Sequence, residues 1–151
     1  MPFLEFFTEL PLFEHTLIRT SDPGEALAFA QDTFAPMKAE FRHRNPHVEF
    51  HLNARSFGRT GLSAQEQAVG GGAIFQMQPD VEKYSLEIPL IGMTTIKIGT
   101  DEARIAAGRS AVVTSPTKPS TWTDDGLRYR AIALHFDRQL VDHRFRLLTG
   151  I

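Results

Sequence analysis

Val48-Glu49-Phe50-His51-Leu52-Asn53-Ala54-Arg55 is the stretch that decides the fold of this 151-residue chain. Val48, Phe50, Leu52 and Ala54 fall at every second position, with Glu49, His51, Asn53 and Arg55 between them. Successive side chains of a strand point to opposite faces, so this pattern describes a strand with one buried face and one wet face. The period recurs downstream. Tyr84, Leu86, Ile88 and Leu90 alternate with Ser85, Glu87 and Pro89, and Thr94, Ile96 and Ile98 alternate with Thr95 and Lys97. Turn signals at Gly58, Gly61, Gly70-Gly71-Gly72, Pro79-Asp80, Gly92, Gly99-Thr100-Asp101, Gly108, Pro116, Pro119 and Asp124-Asp125-Gly126 divide residues 47–136 into short pieces. Many short strands at this spacing predict a mainly β, antiparallel sandwich or jelly-roll barrel. No helical segments alternate with the strands, which argues against a doubly wound sheet.

Outward from this centre the elements change. Residues 15–20 read as a short strand. A helix is expected over about 23–34: Asp22 caps, Pro23 suits the first position, Glu25 follows three residues after the cap, and Leu27, Ala30 and Phe34 form the apolar stripe that Pro36 ends. Residues 127–136 read as the last strand with an ambiguous register. Leu127, Tyr129 and Ala131 lie on one face, and Ile132, Leu134 and Phe136 on the other, as a bulge or burial on both sides would produce. A final helix is expected from Asp137 to Gly150, with Asp142 and Arg146 as an i,i+4 pair and Leu140, Val141, Phe145 and Leu148 on one stripe. Residues 1–14, with Phe3, Leu4, Phe6, Phe7, Leu10, Leu12 and Phe13, form an apolar arm that must dock on its own domain, a ligand mouth or a partner.

Length and composition bound the function. The chain is one domain's worth, since domains commonly run to about 100–200 residues. It contains no cysteine, which excludes disulfides, thiolate metal sites and cysteine nucleophiles. The net charge is −2, so no global basic excess faces a nucleic acid. Segments 38–59 and 127–151 each carry +3 without aromatics at strand spacing, and read as solvated faces. Apolar runs such as 88–93 fall far short of the roughly 20 residues of a membrane helix. The N-terminus has no Lys or Arg before residue 19 and no small-residue cleavage site, so the cytoplasm is the expected location.

Catalytic motifs are wanting. His43, His47 and His51 are spaced like a helical face, but Pro46 and the strand pattern interrupt it, and His15, His135 and His143 are isolated. No His-x-His pair occurs, so neither a metal nor a cofactor is expected. Gly70-Gly71-Gly72 has a phosphate cradle's composition, but no Lys-Ser/Thr follows, and a loop or sheet corner is expected. Asp124-Asp125-Gly126 reads as a hairpin turn. Arg128 and Arg130 share one strand face. They either hold an anionic ligand group inside a barrel or serve solubility outside it, and the second is the preferred reading. Inward side chains of a small sandwich can line a cavity, for which Phe75, Tyr84, Leu86 and Trp122 are the candidates.

Tyr84 to Gly92, then Ile105-Ala106-Ala107-Gly108-Arg109-Ser110-Ala111-Val112-Val113, then Ser115-Pro116 to Pro119, and the closing Leu147-Leu148-Thr149-Gly150, resemble the sensor half of AraC/XylS-type transcription regulators in order and spacing. The resemblance spans about residues 13–150. It implies a cupin-like jelly-roll barrel (15–136) that binds a small-molecule effector, and a C-terminal helix (137–151) that pairs two copies into a homodimer. It further implies a separate helix-turn-helix domain, absent from this chain, through which the parent protein binds DNA. The dimer residues would be Leu140, Val141, Phe145 and Leu148. A receptor rather than an enzyme is expected. The alternatives are a metal-dependent cupin-type enzyme and a carbohydrate-binding jelly-roll module.

Overall fold

The computed structural model describes residues 9–34 and 36–151. Of the expected apolar arm, Phe3, Leu4, Phe6 and Phe7 lie outside the described residues; Leu10 is buried and Phe13 exposed. A 3-10 turn, Phe13–His15, leads into β1 (Thr16–Thr20). Helix α1 (Pro23–Thr33) starts as its sequence dictates. The Asp22 carboxylate accepts the Glu25 N–H at 2.6 Å and Pro23 opens the first turn, while Phe34 closes the helix with its N–H on the Ala30 carbonyl.

Ten further strands follow: β2 (Met37–Phe41), β3 (Val48–Phe57), β4 (Thr60–Val69), β5 (Ala73–Met77), β6 (Lys83–Ile91), β7 (Met93–Ile98), β8 (Asp101–Ala106), β9 (Val112–Thr114), β10 (Ser120–Asp124) and β11 (Tyr129–Asp137). They form two antiparallel sheets, β1-β3-β4-β11-β6-β9 and β2-β5-β10-β7-β8. Helix α2 (Arg138–Thr149) closes the chain. It is capped by Asp137, which accepts the Leu140 N–H at 2.9 Å, and ended by Gly150 in the left-handed conformation. The i,i+4 partner of Asp142 is Arg138, at 3.4 Å, rather than Arg146. Strand β2 has no counterpart among the strands read from the sequence, because its five residues lie before the stretch where the alternation becomes continuous.

Glycine corners pass the chain between the sheets. Gly70-Gly71-Gly72 joins β4 to β5 and is the expected sheet corner. Gly72 has φ +87°, and a Cβ there would stand 2.6 Å from the Asp124 carbonyl oxygen, so no larger residue fits. Asp124-Asp125-Gly126 is not a hairpin turn. It joins β10 of one sheet to β11 of the other, and Asp124 is buried, accepting the Gly126 N–H at 2.7 Å and the Gln67 amide at 2.9 Å.

The core joins α1 to the inner faces of β3, β4 and β5: Ala26, Val48, Phe50, Leu52, Val69 and Ala73, with Phe34, Phe41 and Phe75 packed against them. The outer face of the six-stranded sheet is partly covered by residues 9–16. Asn53, fully buried on β3, donates to the Pro11 carbonyl at 2.9 Å and accepts the Thr16 hydroxyl at 2.7 Å. Arg130 is only 3% exposed; it ion-pairs with Glu66 and reaches the Glu9 carbonyl at 3.3 Å. The expectation that Arg128 and Arg130 are solubility residues therefore fails for Arg130, because the N-terminal segment crosses over it. Arg128 stays exposed and shares the Glu66 carboxylate at 2.9 Å.

Candidate functional site

The ambiguity of residues 127–136 is resolved by what lies on each face of β11. Tyr129, Ala133 and His135 open onto a hollow between the sheets, whereas Ile132, Leu134 and Phe136 alternate onto the outer face. A bulge at Arg130/Ala131 in the pairing with β6 marks the crowded start of the strand, where Tyr129, Arg130 and Ala131 are all buried. Strand β6 has the same polarity: Ser85 and Glu87 line the hollow, and Tyr84, Leu86 and Ile88 take the opposite face. Here the polar residues face inward and the larger apolar ones outward.

The hollow measures about 550 Å³, within the range of ~300–1,000 Å³ usual for small-molecule sites. The five-stranded sheet contributes Phe41, Phe75, Met77 and Trp122, and α1 adds Ala26, Leu27 and Ala30. Trp122 and Phe75 are direct cross-strand neighbours on β10 and β5, and the indole N–H is held by the Ser120 hydroxyl at 2.9 Å. The six-stranded sheet contributes Ser63, Gln65, Gln67, Ser85, Glu87, Tyr129 and His135. The register explains their grouping. Ala133 is flanked by Ser63 on β4 and Glu87 on β6, and His135 by Gly61 and Ser85. Small residues at 61 and 133 leave room that longer neighbours surround with polar groups.

Hydrogen bonds fix this polar floor. The two His135 ring nitrogens bridge the hydroxyls of Ser63 (2.9 Å) and Ser85 (2.8 Å). Burial, aided by Lys83, holds His135 below its ordinary pKa, so it is neutral, with one nitrogen donating and the other accepting. The Tyr129 hydroxyl donates to Glu87 at 2.6 Å, and burial pushes the Glu87 carboxyl up to about 7. Tyr129 is in turn pushed well above its ordinary value by burial and by the Glu87 charge. This Ser63–His135–Ser85 set lies across three paired strands, β4, β11 and β6. Among the described residues no three His, Asp or Glu side chains gather as a metal would require. His43 and His47 are exposed and His51 half-buried on the outer face, so the spaced histidine trio forms no site.

Two of the four sequence-derived pocket residues, Phe75 and Trp122, line the hollow. Tyr84 and Leu86 do not. The Tyr84 hydroxyl donates to Asp142 on α2 at 2.9 Å, which raises the phenol pKa and seats the helix, and Leu86 stands beside Leu134 and Val113. The polar floor itself was not singled out from the sequence. Its only signal was the polar half of the β6 alternation.

No protein-family model and no curated protein matches the sequence. Solved structures do match in shape. The AraC-like transcriptional activator CuxR aligns over 86% of this chain and 51% of its own, with TM-score 0.62 and 11% identity. The fold is a cupin-like jelly roll. This chain spans about half the length of CuxR. Looser matches are the Schizosaccharomyces pombe Cnp3 cupin domain (TM-score 0.49, 12% identity, 66% of this chain and 73% of that one) and a predicted oxalate decarboxylase from Thermotoga maritima (0.49, 10%, 67% and 91%). A cupin-like barrel hosts unrelated activities, so the shape alone fixes no function. Among the described residues, no helix is long and apolar enough to cross a membrane.

Proposed function

We propose that this chain is the effector-binding domain of a cytoplasmic transcription regulator, a receptor rather than a catalyst. It takes a small molecule into the hollow and pairs with a second copy through α2. DNA contact falls to a separate helix-turn-helix domain of the parent protein. The observation that carries this reading is the hollow itself: about 550 Å³, aromatic on one sheet, polar on the other, and flanked by α1. The likeness to an AraC-like activator in shape supports it. Phe75 and Trp122 are the proposed ligand contacts, and Tyr84 passes from that set to the anchoring of α2. An effector acts through its difference in affinity between two conformations. The elements placed to respond are α1, which lines the hollow, and α2, bound to β6 through Tyr84.

A thermal-shift screen with sugars, aromatic acids and amines tests the receptor reading. A ligand at about a hundred times its dissociation constant should add roughly 2.7 kcal/mol to stability. No shift with any class, together with a Trp122 fluorescence spectrum unmoved by every compound, counts against it.

The proposed dimer interface is the α2 stripe of Leu140, Val141, Phe145 and Leu148. No residue of α2 is fully buried, and Phe145 and Leu148 are 58% and 86% exposed. Exposed apolar side chains of this size call for a partner surface. Replacing Leu140 and Phe145 together with glutamate should convert dimers to monomers in sedimentation equilibrium. A dimer that persists at the same concentration removes α2 from the interface.

A further inference from the structure

If the hollow is a binding site, its charge arrangement selects what enters. Four cations line it, Arg55, Arg59, Lys83 and Lys118, and all four are exposed residues. Arg59 is already paired with Asp137 at 2.6 Å. Two carboxylates lie deeper, and they differ. Both oxygens of Asp124 are engaged, by Gln67 and by the Gly126 N–H. Glu87 has only one oxygen engaged, by Tyr129. Among the described residues no side-chain polar atom is both sealed from solvent and unpartnered. The second Glu87 oxygen therefore keeps accessible surface, and from the inner face of β6 that surface belongs to the hollow. Among the described residues, the groups around Glu87 offer it no positive charge. Tyr129 and the neutral His135 stand on β11, Ser85 on its own strand, Val112 and Thr114 on β9, and the opposite sheet presents Trp122, Phe75 and Thr94.

A carboxylate with a vacant oxygen, no counter-ion and aromatic faces across the hollow is complementary to an ammonium group on an apolar body. We propose that the hollow binds a small organic amine, its cationic head at Glu87 and its body against Trp122 and Phe75. A cation beside Glu87 favours the ionised carboxyl, so binding near neutral pH releases a proton.

The test is a head-group series on one body: phenethylamine, 2-phenylethanol and phenylacetate, with choline as a quaternary cation. Titration calorimetry gives affinity, and the fluorescence of Trp122, the sole tryptophan, reports occupancy of the hollow. The expected result is amine binding at least tenfold tighter than the alcohol, with no detectable binding of the carboxylate. Amine affinity should rise about tenfold from pH 5.5 to 7.5. Glu87→Gln should lower it at least tenfold and leave the alcohol unchanged, and it is isosteric enough to be checked for folding by circular dichroism. Alcohol or carboxylate binding that matches the amine and moves Trp122 would overturn the amine assignment while keeping the hollow a binding site. Failure of phenethylamine and of choline to bind at millimolar concentration overturns it as well.

Discussion

Replacing Glu66 with alanine is expected to destabilise the domain by about 1–3 kcal/mol, because it removes the carboxylate that accepts the charge-assisted hydrogen bonds of both Arg130 and Arg128. Arg130 is the more deeply buried of the two. Arg130 is 3% exposed, bonded through its Nε to Glu66, and reaches the Glu9 carbonyl at 3.3 Å. Arg128, 55% exposed, shares the same carboxylate and can turn to water, so it contributes little to the loss. Urea denaturation of the parent chain and the variant measures this. A single-variant loss under about 1 kcal/mol would show that Arg130 is held mainly by other groups. Burial raises the Glu66 carboxyl, but the hydrogen bonds and charges of Arg128 and Arg130 outweigh it, so its folded-state pKa lies below 4.5. Its stabilisation is thus present above pH 4.5 and is lost as pH falls through the folded-state value.

Glu87 acts with the opposite sign. Burial carries its carboxyl from 4.5 to about 7. Below pH 4.5 the folded and unfolded chains both hold its proton. As pH rises toward 7 the unfolded chain releases the proton while the folded chain keeps it, at ~1.4 kcal/mol per pH unit. The stabilisation lost by pH 7 and above is on the order of 3 kcal/mol. Glu87→Gln should abolish this loss and be the more stable protein at pH 8, with the two converging near pH 4.5. Urea midpoints from pH 4 to 8 decide the matter, and parallel profiles would contradict it. His135 adds a counter-slope. Its pKa is depressed below 6.5, so stability falls as pH drops below that value, and the maximum should fall in the weakly acidic range.

The local elements were legible because local chemistry encodes them. Asp22-Pro23 and Asp137 cap the two helices, and period-two alternation marks β3, β6 and β7 as strands of an antiparallel barrel. The site was less legible. Alternation states that a strand has two unlike faces; it does not state which faces inward. In β6 and β11 the larger apolar residues lie outward and the polar ones inward, so Tyr84 and Leu86 were assigned to the hollow in place of Ser85 and Glu87. The Glu66–Arg130 pair spans 64 positions, and no periodicity links residues so far apart. Arg130 reads as a surface residue until a segment more than a hundred residues earlier is laid across it.

The inverted polarity of β6 and β11 separates two duties that most sheets combine. The residues that cement these strands, Leu86, Ile88, Ile132 and Leu134, form a layer distinct from the residues that line the hollow, Ser63, Ser85, Glu87 and His135. Selection or engineering can therefore rewrite the inward row, and with it the chemistry of the hollow, while the cohesive layer stays intact.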